Sequence, residues 1–413
     1  MGVLMRPVTP PGPISDLFDR LHDLHLRAGE PGLRRIAADL GIGVVSHATV
    51  HKVFTGPRVP KWGYLELVVE VLGGDTREFH ALWLAARRAE RRFPAVATAD
   101  VEPGTGAAPW HCTDVLSGHG GEVAGVAFSP NGRLLATASA DMSVRLWDPR
   151  HGTPAGEPLV GHRGPVWGVA FSPTGRVLAT AGVDTTVRLW DPATGRPSAF
   201  PHLDDHGGFV VGVVFSPDGR ALVTGGGDAV IRVWDLTDGG ALRAALPGRA
   251  GPVNDLAVNS RGVIASASLE GEVRLWDAAA GGSTGALLSG HTSSVACVAF
   301  SPDGRLLAAG ADDGTVRVWV AATGAPVREP WTGHDGPVWG VAFATPDVLV
   351  TASRDHTARV WDVVSGAPLG PPLVGHVDAL THVAVSPRGD VIATASDDGT
   401  ARLWRPSGRA PES

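Results

Sequence analysis

The chain has 413 residues, 43% of them hydrophobic and 19% charged, with a formal net charge of −7; this is the composition of an ordinary globular protein and excludes a disordered or fibrous one. No apolar run approaches the roughly 20 residues that span a bilayer, and the first fifteen residues hold neither an apolar signal core nor, at Arg6, the Ser or Thr of a myristoylation signal. Two isolated cysteines, Cys112 and Cys297, fit a reducing cytoplasm, which is the expected location.

Charge is uneven. Residues 1–100 carry 13 basic against 11 acidic side chains, and the remainder 22 against 31, so neither part is strongly basic. The only lysines, Lys52 and Lys61, lie in the first part; the arginine bias elsewhere, with abundant Gly, Ala and Pro, has the look of a GC-rich bacterial genome.

Residues 14–92 show helical periodicity. Ser15 is placed to cap a helix with Leu17, Phe18, Leu21 and Leu24 on one face, and Gly32 opens a second with Leu33, Ile36, Ala37 and Leu40 inward. Gly41-Ile42-Gly43 breaks it, Ser46 caps a third helix over His47–Thr55, and Gly56-Pro57 stops that one. A fourth runs from Trp62 to Leu72, and Asp75 caps a fifth through Phe79, Leu82 and Trp83 into Arg87, Arg88, Arg91 and Arg92.

Two short helices joined by a glycine turn are the layout of a helix-turn-helix. The stretch Leu33 to Gly56, with its continuation through Lys61-Trp62 and Leu82-Trp83, resembles phage-repressor-like (XRE-type) regulators in an actinobacterial form, although Gly41 to Val45 is longer than their usual turn. The resemblance implies that the third helix lies in the major groove of double-stranded DNA. His47, Ala48, His51 and Lys52 would then face the bases, with Arg34, Arg35, Arg58 and Lys61 on phosphates. The near-neutral charge points to a dimer or a palindromic site; the plainer reading of His47 and His51 is two solvated side chains. Residues 93–109, rich in Ala, Pro and Gly, read as a flexible linker.

From residue 110 the period changes to two, and tryptophans recur at Trp147, Trp190, Trp234, Trp276, Trp319, Trp361 and Trp404, every 42 to 44 residues. One unit shows the grammar: Gly118-His119, a strand Val123–Phe128, a turn Ser129-Pro130-Asn131-Gly132, a strand Leu134–Ser139, a turn at Asp141, and a strand Val144–Trp147. Seven such units over residues 110–406 resemble the WD-repeat family. The fold class is thus multidomain, α then all-β: a small helix-turn-helix bundle followed by a seven-bladed β-propeller and a tail, 407–413.

The same resemblance implies a buried network of His, a strand Ser or Thr, the turn Asp and the Trp inside each blade. The complete sets are His119/Ser139/Asp141/Trp147, His334/Ser353/Asp355/Trp361 and His376/Ser396/Asp398/Trp404, with Gly182, Gly226 and Ala311 replacing the serine elsewhere. Unit four departs most: Arg249 stands for His and Glu270 for Asp, so blade four is expected to be the least regular, with those two paired. The resemblance also implies that Trp110 to Leu116 becomes the outer strand of the last blade, since Arg405 to Ser413 cannot supply one, and that Trp110 is a packing residue.

A His–Ser–Asp set repeated in blade after blade is structural, whereas catalysis needs one asymmetric constellation in a cleft. With no zinc-helix motif, phosphate loop or dinucleotide fingerprint, the expectation is no enzyme, no cofactor and no metal. Trp167 and Trp339 break the repeat, standing where other units have Ala124, Val211, Asn254, Ala296 and Thr381. By the resemblance this register starts the inner strand on the partner-binding face, shared with Phe209, Asp312, Arg354 and Asp397; a protein-binding hot spot and simple loop packing are both open readings. Two functions compete: a bacterial transcriptional regulator with a DNA-binding head and a propeller that receives a protein, or secondarily a small ligand in the axial channel; and a scaffold whose head recruits a protein.

Overall fold

Alternating apolar residues in short sequential strands bury only one face at a time, so each meander needs a copy of itself beside it. The computed structural model describes residues 13–27, single positions between 65 and 82, and 110–407 apart from 199–202, 249–250 and 278–281. The chain divides into two units, Met1–Glu102 and Pro103–Ser413.

In the first unit a helix spans Pro13–Arg27. Its opening proline is preorganised for a first helical turn, so Ser15 lies inside that turn rather than capping it as expected. Leu17, Phe18 and Leu21 are buried, as are Leu65, Val68, Val69, Leu72 and Phe79. The helical stretch through Val68 and Val69 closes with Leu72 N–H donating to the Val68 carbonyl and Gly74 N–H to the Val69 carbonyl. A Cβ on Gly74 would sit 2.6 Å from Leu24 Cδ2, so glycine is what lets Leu24 approach. Asp75 Oδ1 accepts the Glu78 N–H at 3.4 Å, the N-cap expected for the fifth helix. Glu78 in turn pairs with Arg20 at 2.7 Å. The second and third helices lie outside the described residues, as do His47, Ala48, His51, Lys52, Arg34, Arg35, Arg58 and Lys61; a helix-turn-helix is not shown.

The second unit is a seven-bladed propeller. Blade one holds Val123–Phe128, Leu135–Ser139 and Ser143–Asp148, with Thr153–Pro154 and Leu159–Val160 on its outer edge. Blades two, three and four begin with Val166–Phe171, Val210–Phe215 and Val253–Val258, and blades five, six and seven with Val295–Phe300, Val338–Thr345 and Leu380–Val385. These seven innermost strands touch one another in a closed ring, blade seven returning to blade one. The second strand of each blade, such as Leu135–Ser139, is buried and rich in small residues, with only the first residue partly exposed in blades four, five and six. Neighbouring blades share one core: Leu116, Val123, Val126, Leu135 and Trp147 pack with Ala393, Ala395, Ala401 and Leu403.

Closure follows the expected path. Trp110–Leu116 pairs antiparallel with Ala401–Pro406, from Trp110 opposite Pro406 to Leu116 opposite Ala401. Trp110 packs against the core between blades six and seven, and Arg405 locks the seam through Asp114 at 2.9 Å.

One expectation is corrected. Blade four is a full four-stranded sheet, and blade five is the one reduced to three strands. The outer segment of blade five keeps only the isolated bridges Trp319–Pro326 and Val316–Trp331, while blade six, with Pro368 and Pro372 in the matching places, keeps a fourth strand. The Arg249–Glu270 pairing falls on Arg249, outside the described residues.

Candidate functional site

The repeated polar sets come first, because they decide which side chains are already committed. In blade one His119 Nδ1 lies 2.9 Å from Asp141 Oδ2 and Nε2 lies 2.7 Å from Thr137 Oγ1, while Trp147 Nε1 donates to the same hydroxyl at 2.9 Å. The arrangement repeats with Thr351 between His334 and Trp361, and with Thr394 between His376 and Trp404. The hydroxyl in the network is therefore a threonine two residues before the serine the sequence reading chose. Ser139, Ser353 and Ser396 instead donate to the carbonyls of Gly121, Gly336 and Asp378 and accept the N–H of Asp141, Asp355 and Asp398, which pins the loop over the turn. Thr137 and Ser139, two apart, share one face of the strand; Thr137, opposite Arg145, lies further from the turn and within reach of the Trp, while Ser139 stays beside the turn.

The corrected register completes blade two, where Thr180 joins His162 and Trp190 although Gly182 replaces the serine. Blade three has Thr224, but Arg232 enters between His206 and Asp228, at 3.2 Å from the ring nitrogen and 2.7 Å from the carboxylate. Blade four keeps Ser266 under Trp276. In blade five the position is Ala309, and His291 Nε2 is buried without a partner.

Donor order in a complete set runs from the indole N–H to the threonine oxygen, from the threonine O–H to His Nε2, and from His Nδ1–H to the carboxylate, which assigns a neutral imidazole. Burial pushes the His119 and His162 imidazoles below their ordinary range against the pull of Asp141 and Asp184. Burial opposes ionisation of Asp141 as well, but hydrogen bonds from Ser143, Gly120 and His119 hold its carboxyl well below the usual value.

Outside these networks, a further group of side chains gathers at one end of the central channel, around a cavity of about 520 Å³. Trp167, Trp339, Phe209, Asp312 and Asp397 all line it. Trp167 meets Phe209 edge-on with ring centroids 5.4 Å apart. Across the channel Trp339 Nε1 donates to Asp312 Oδ1 at 3.1 Å, and the exposed Arg354 guanidinium lies over the Trp339 ring at 4.4 Å. Five of the six expected partner residues thus meet at one mouth, and the sixth, Arg354, rests on one of them. Loop packing and exposure coexist: both tryptophans are half-buried.

Three further residues escaped the sequence reading. One position beyond the Trp167 register the inner strands carry Gly125, Gly168, Gly212 and Gly340, but Asp255, Cys297 and His382 in blades four, five and seven. The glycines let adjacent strands approach: a Cβ on Gly168 would lie 2.2 Å from the Val211 carbonyl oxygen. Where a side chain is present it reaches across instead. Asp255 accepts the Val298 N–H of the next blade at 2.9 Å and its own Leu256 N–H at 2.8 Å, and Cys297 Sγ lies 3.6 Å from the Val338 carbonyl. Loss of water inside the ring pushes the Asp255 carboxyl up to about 7, drives the Cys297 thiol well above its usual range, and lowers His382 to about 4. The same neighbours brace two seams beside them: Asn254 donates to the Val295 carbonyl at 2.8 Å and Thr381 to the Val123 carbonyl at 2.6 Å. Comparing one more column of the repeat would have exposed all three.

Among the described residues no group of three or more His, Cys, Asp or Glu is arranged to hold a metal, and no helix is long and apolar enough to cross a membrane.

Known proteins place the repeats. The IFT122 first β-propeller family matches residues 165–412, and the WD domain, G-beta repeat, matches residues 110–148. Striatin-4 of Homo sapiens is 47% identical over 55 residues, 13% of this chain and 7% of that protein. Protein Mut11 of Chlamydomonas reinhardtii is 56% identical over 43 residues, 10% and 12% of the two chains. Vegetative incompatibility protein HET-E-1 of Podospora anserina is 45% identical over 47 residues, 11% and 4%. Each alignment is about one repeat long, so the chain matches only a small part of these relatives' length. All three are eukaryotic, and none supports the bacterial origin or the DNA-binding head expected from the sequence. With its seven sheets closed into a ring and a family match over more than half its length, the chain belongs to the IFT122 first β-propeller family of WD-repeat proteins.

Proposed function

We propose that this protein is a non-enzymatic interaction scaffold whose propeller receives a protein partner over the channel mouth lined by Trp167, Phe209 and Trp339. The observation that carries this reading is the convergence of large half-buried aromatics from blades two, three and six on one cavity, while the polar groups resembling a catalytic set are consumed inside the blades. Aromatic and arginine side chains around a concave pocket are the composition of an interface hot spot. The head serves in this reading as a second recruiting module. The alternative, a DNA-binding regulator, rests on eight residues outside the described ones.

The test compares the full chain with a Trp167→Ala, Trp339→Ala double variant in co-purification from the native host, after confirming by circular dichroism that both fold. Partners lost by the variant support the reading; a folded variant that retains every partner overturns it. DNA binding is scored separately with the full chain, by titrating salt against a random duplex pool; sequence-preferring binding that steepens at low salt would restore the regulator reading.

A further inference from the structure

On the outer side of the ring, blade five departs from the repeat twice. Three residues before the loop His position, the other six blades bury a leucine: Leu116, Leu159, Leu203, Leu246, Leu288 and Leu373. Blade five places Trp331 there, 5% exposed. Its ring packs against Trp361 of blade six with centroids 5.7 Å apart, in the core those two blades share. A leucine brings no polar atom to this seam, whereas an indole brings an N–H that a buried site normally pairs. Trp331 Nε1 is buried without a hydrogen-bond partner.

The second departure lies three residues earlier, where blades one and six carry Gly156 and Gly370 and blade five carries Arg328. Arg328 is exposed, and among the described residues it forms no salt bridge; its one hydrogen bond runs from Nη1 to the Val364 carbonyl of blade six at 3.2 Å. Asp362, the acid its charge reaches, is already held by the N–H and hydroxyl of Ser365 at 2.7 and 2.6 Å. Both donors face the same spot. A Cβ on Gly366 would lie 2.9 Å from Trp331 Nε1 and 2.9 Å from Arg328 Nη1. The bare glycine, which φ 65° favours in any case, therefore leaves the indole N–H and the guanidinium side by side. Val364, 72% exposed, flanks them with an apolar surface.

A guanidinium fork beside a further N–H is a donor set for a carboxylate: its two oxygens meet the planar fork, and one of them also takes the third donor. Phosphate fits less well, because the exposed Glu329 and the neighbouring Asp362 oppose a second negative charge. We infer that Arg328 and Trp331 form a carboxylate-binding site on the outer side of the seam between blades five and six, separate from the channel. Arg328 is tethered by a single bond, so it can turn toward a ligand and bring one oxygen onto the indole N–H. That oxygen is the acceptor the fold itself omits. The carboxylate comes either from a protein chain, with an apolar neighbour lying on Val364, or from a small free acid.

The test follows the indole N–H signals of the full chain, labelled with nitrogen-15 at tryptophan, by nuclear magnetic resonance. The Trp331 signal is assigned with Trp331→Leu, which installs the residue of the other six blades. Acetate, acetamide, inorganic phosphate and N-acetyl-leucyl-glycine are then titrated separately at constant ionic strength. The inference expects a saturable shift of the Trp331 signal with acetate, none with acetamide, and weaker binding of phosphate. It also expects no shift in an Arg328→Gln variant whose other indole signals stay in place. Binding of the dipeptide about tenfold tighter than acetate assigns the site to a protein chain, and equal affinities assign it to small free acids. A Trp331 signal that acetate leaves unmoved, or moves equally in Arg328→Gln, would overturn the site and leave the N–H to a buried water. Phosphate bound more tightly than acetate would overturn the carboxylate assignment. Neither Trp167 nor Trp339 takes part, so the outcome is independent of the platform test.

Discussion

The threonine at the centre of each complete blade network should outweigh the serine two residues later, and blade six allows the comparison within one strand. Thr351 is fully buried, accepts the Trp361 indole N–H at 2.8 Å and pairs with His334 Nε2 at 2.7 Å. Thr351→Val keeps the shape and opens no cavity, but strands two buried polar groups, each worth about 1–3 kcal/mol when left unsatisfied; about 3 kcal/mol is expected after partial relaxation. Ser353, equally buried, bonds instead to the partly exposed loop: Ser353→Ala removes one bond to the Gly336 carbonyl at 3.0 Å and one from the Asp355 N–H at 3.1 Å, groups that water can reach in part; about 1 kcal/mol is expected. Urea unfolding of the full chain, followed by tryptophan fluorescence, reads both as shifts in midpoint at constant m-value. A Thr351→Val variant within about 0.5 kcal/mol of wild type, the ordinary scatter of surface substitutions, or one no worse than Ser353→Ala, would refute the assignment.

Other perturbations test the same architecture. Ala309→Thr in blade five should restore the missing hydroxyl for His291 Nε2 and raise stability by about 1 kcal/mol in the same urea assay; a loss would mean the site is too tightly packed to take the two added atoms. Met142, 46% exposed, adopts φ 69° at the turn position where blades four, five and seven carry Gly271, Gly314 and Gly399, so Met142→Gly should stabilise by about 0.5 kcal/mol as relieved strain outweighs backbone entropy. Arg405→Ala removes the bond to Asp114 at 2.9 Å across the closing seam and should raise amide exchange selectively in Trp110–Leu116; unchanged exchange there would remove Arg405 from the closure. For pH, His206, His291 and His382 stay neutral in the fold down to about 4, whereas the unfolded chain protonates them below about 6.5. The unfolded state therefore binds more protons between those values, and stability falls on acidification. Asp255, raised to about 7 by loss of water, acts in the opposite sense: the fold holds a proton the unfolded chain releases above about 4, so its contribution declines as pH rises toward 7. Stability should peak near pH 6.5, and Asp255→Asn should abolish the decline above the peak; a flat profile from pH 5 to 7 would contradict both signs.

The propeller was readable because its signals are short-range and repeated. The tryptophan interval, the Ser-Pro-x-Gly turn and the alternating strands each reflect local backbone chemistry, and repetition, with seven tryptophans and five such turns, averages out the noise of any one copy. The closing strand was legible for a topological reason: Trp110–Leu116 was a surplus strand and the last blade lacked one. Thr137 was missed because Thr137 and Ser139 share one face of the strand, so alternation cannot choose between them; the serine lies nearer the turn Asp along the chain, and only the pairing register puts the threonine under the Trp. The expected irregularity of blade four failed for a related reason. Loss of the His–Asp pair removes two polar groups, but the ladder of blade four is made by main-chain groups whatever the side chains and stays intact.

The channel shows where repetition stops being informative. In four blades glycine at the inner-strand position lets the neighbouring backbone come so close that a Cβ on Gly125 would lie 2.5 Å from the Trp167 carbonyl oxygen. A larger side chain there must either push the strands apart or take over their contact. Asp255 takes it over, with its carboxylate on the Val298 N–H, and Cys297 approaches the Val338 carbonyl. The seams next to blades four, five and seven are thus held by chemistry that titrates or oxidises, while the glycine seams depend on backbone approach alone. A ring built from near-identical units acquires in this way an orientation: the polar seams border the arc that carries Asp312, Asp397 and Glu122, and two of the glycine seams border Trp167. That asymmetry lets a pseudo-symmetric platform present one direction to a partner, and it arises from departures from the repeat rather than from the repeat itself.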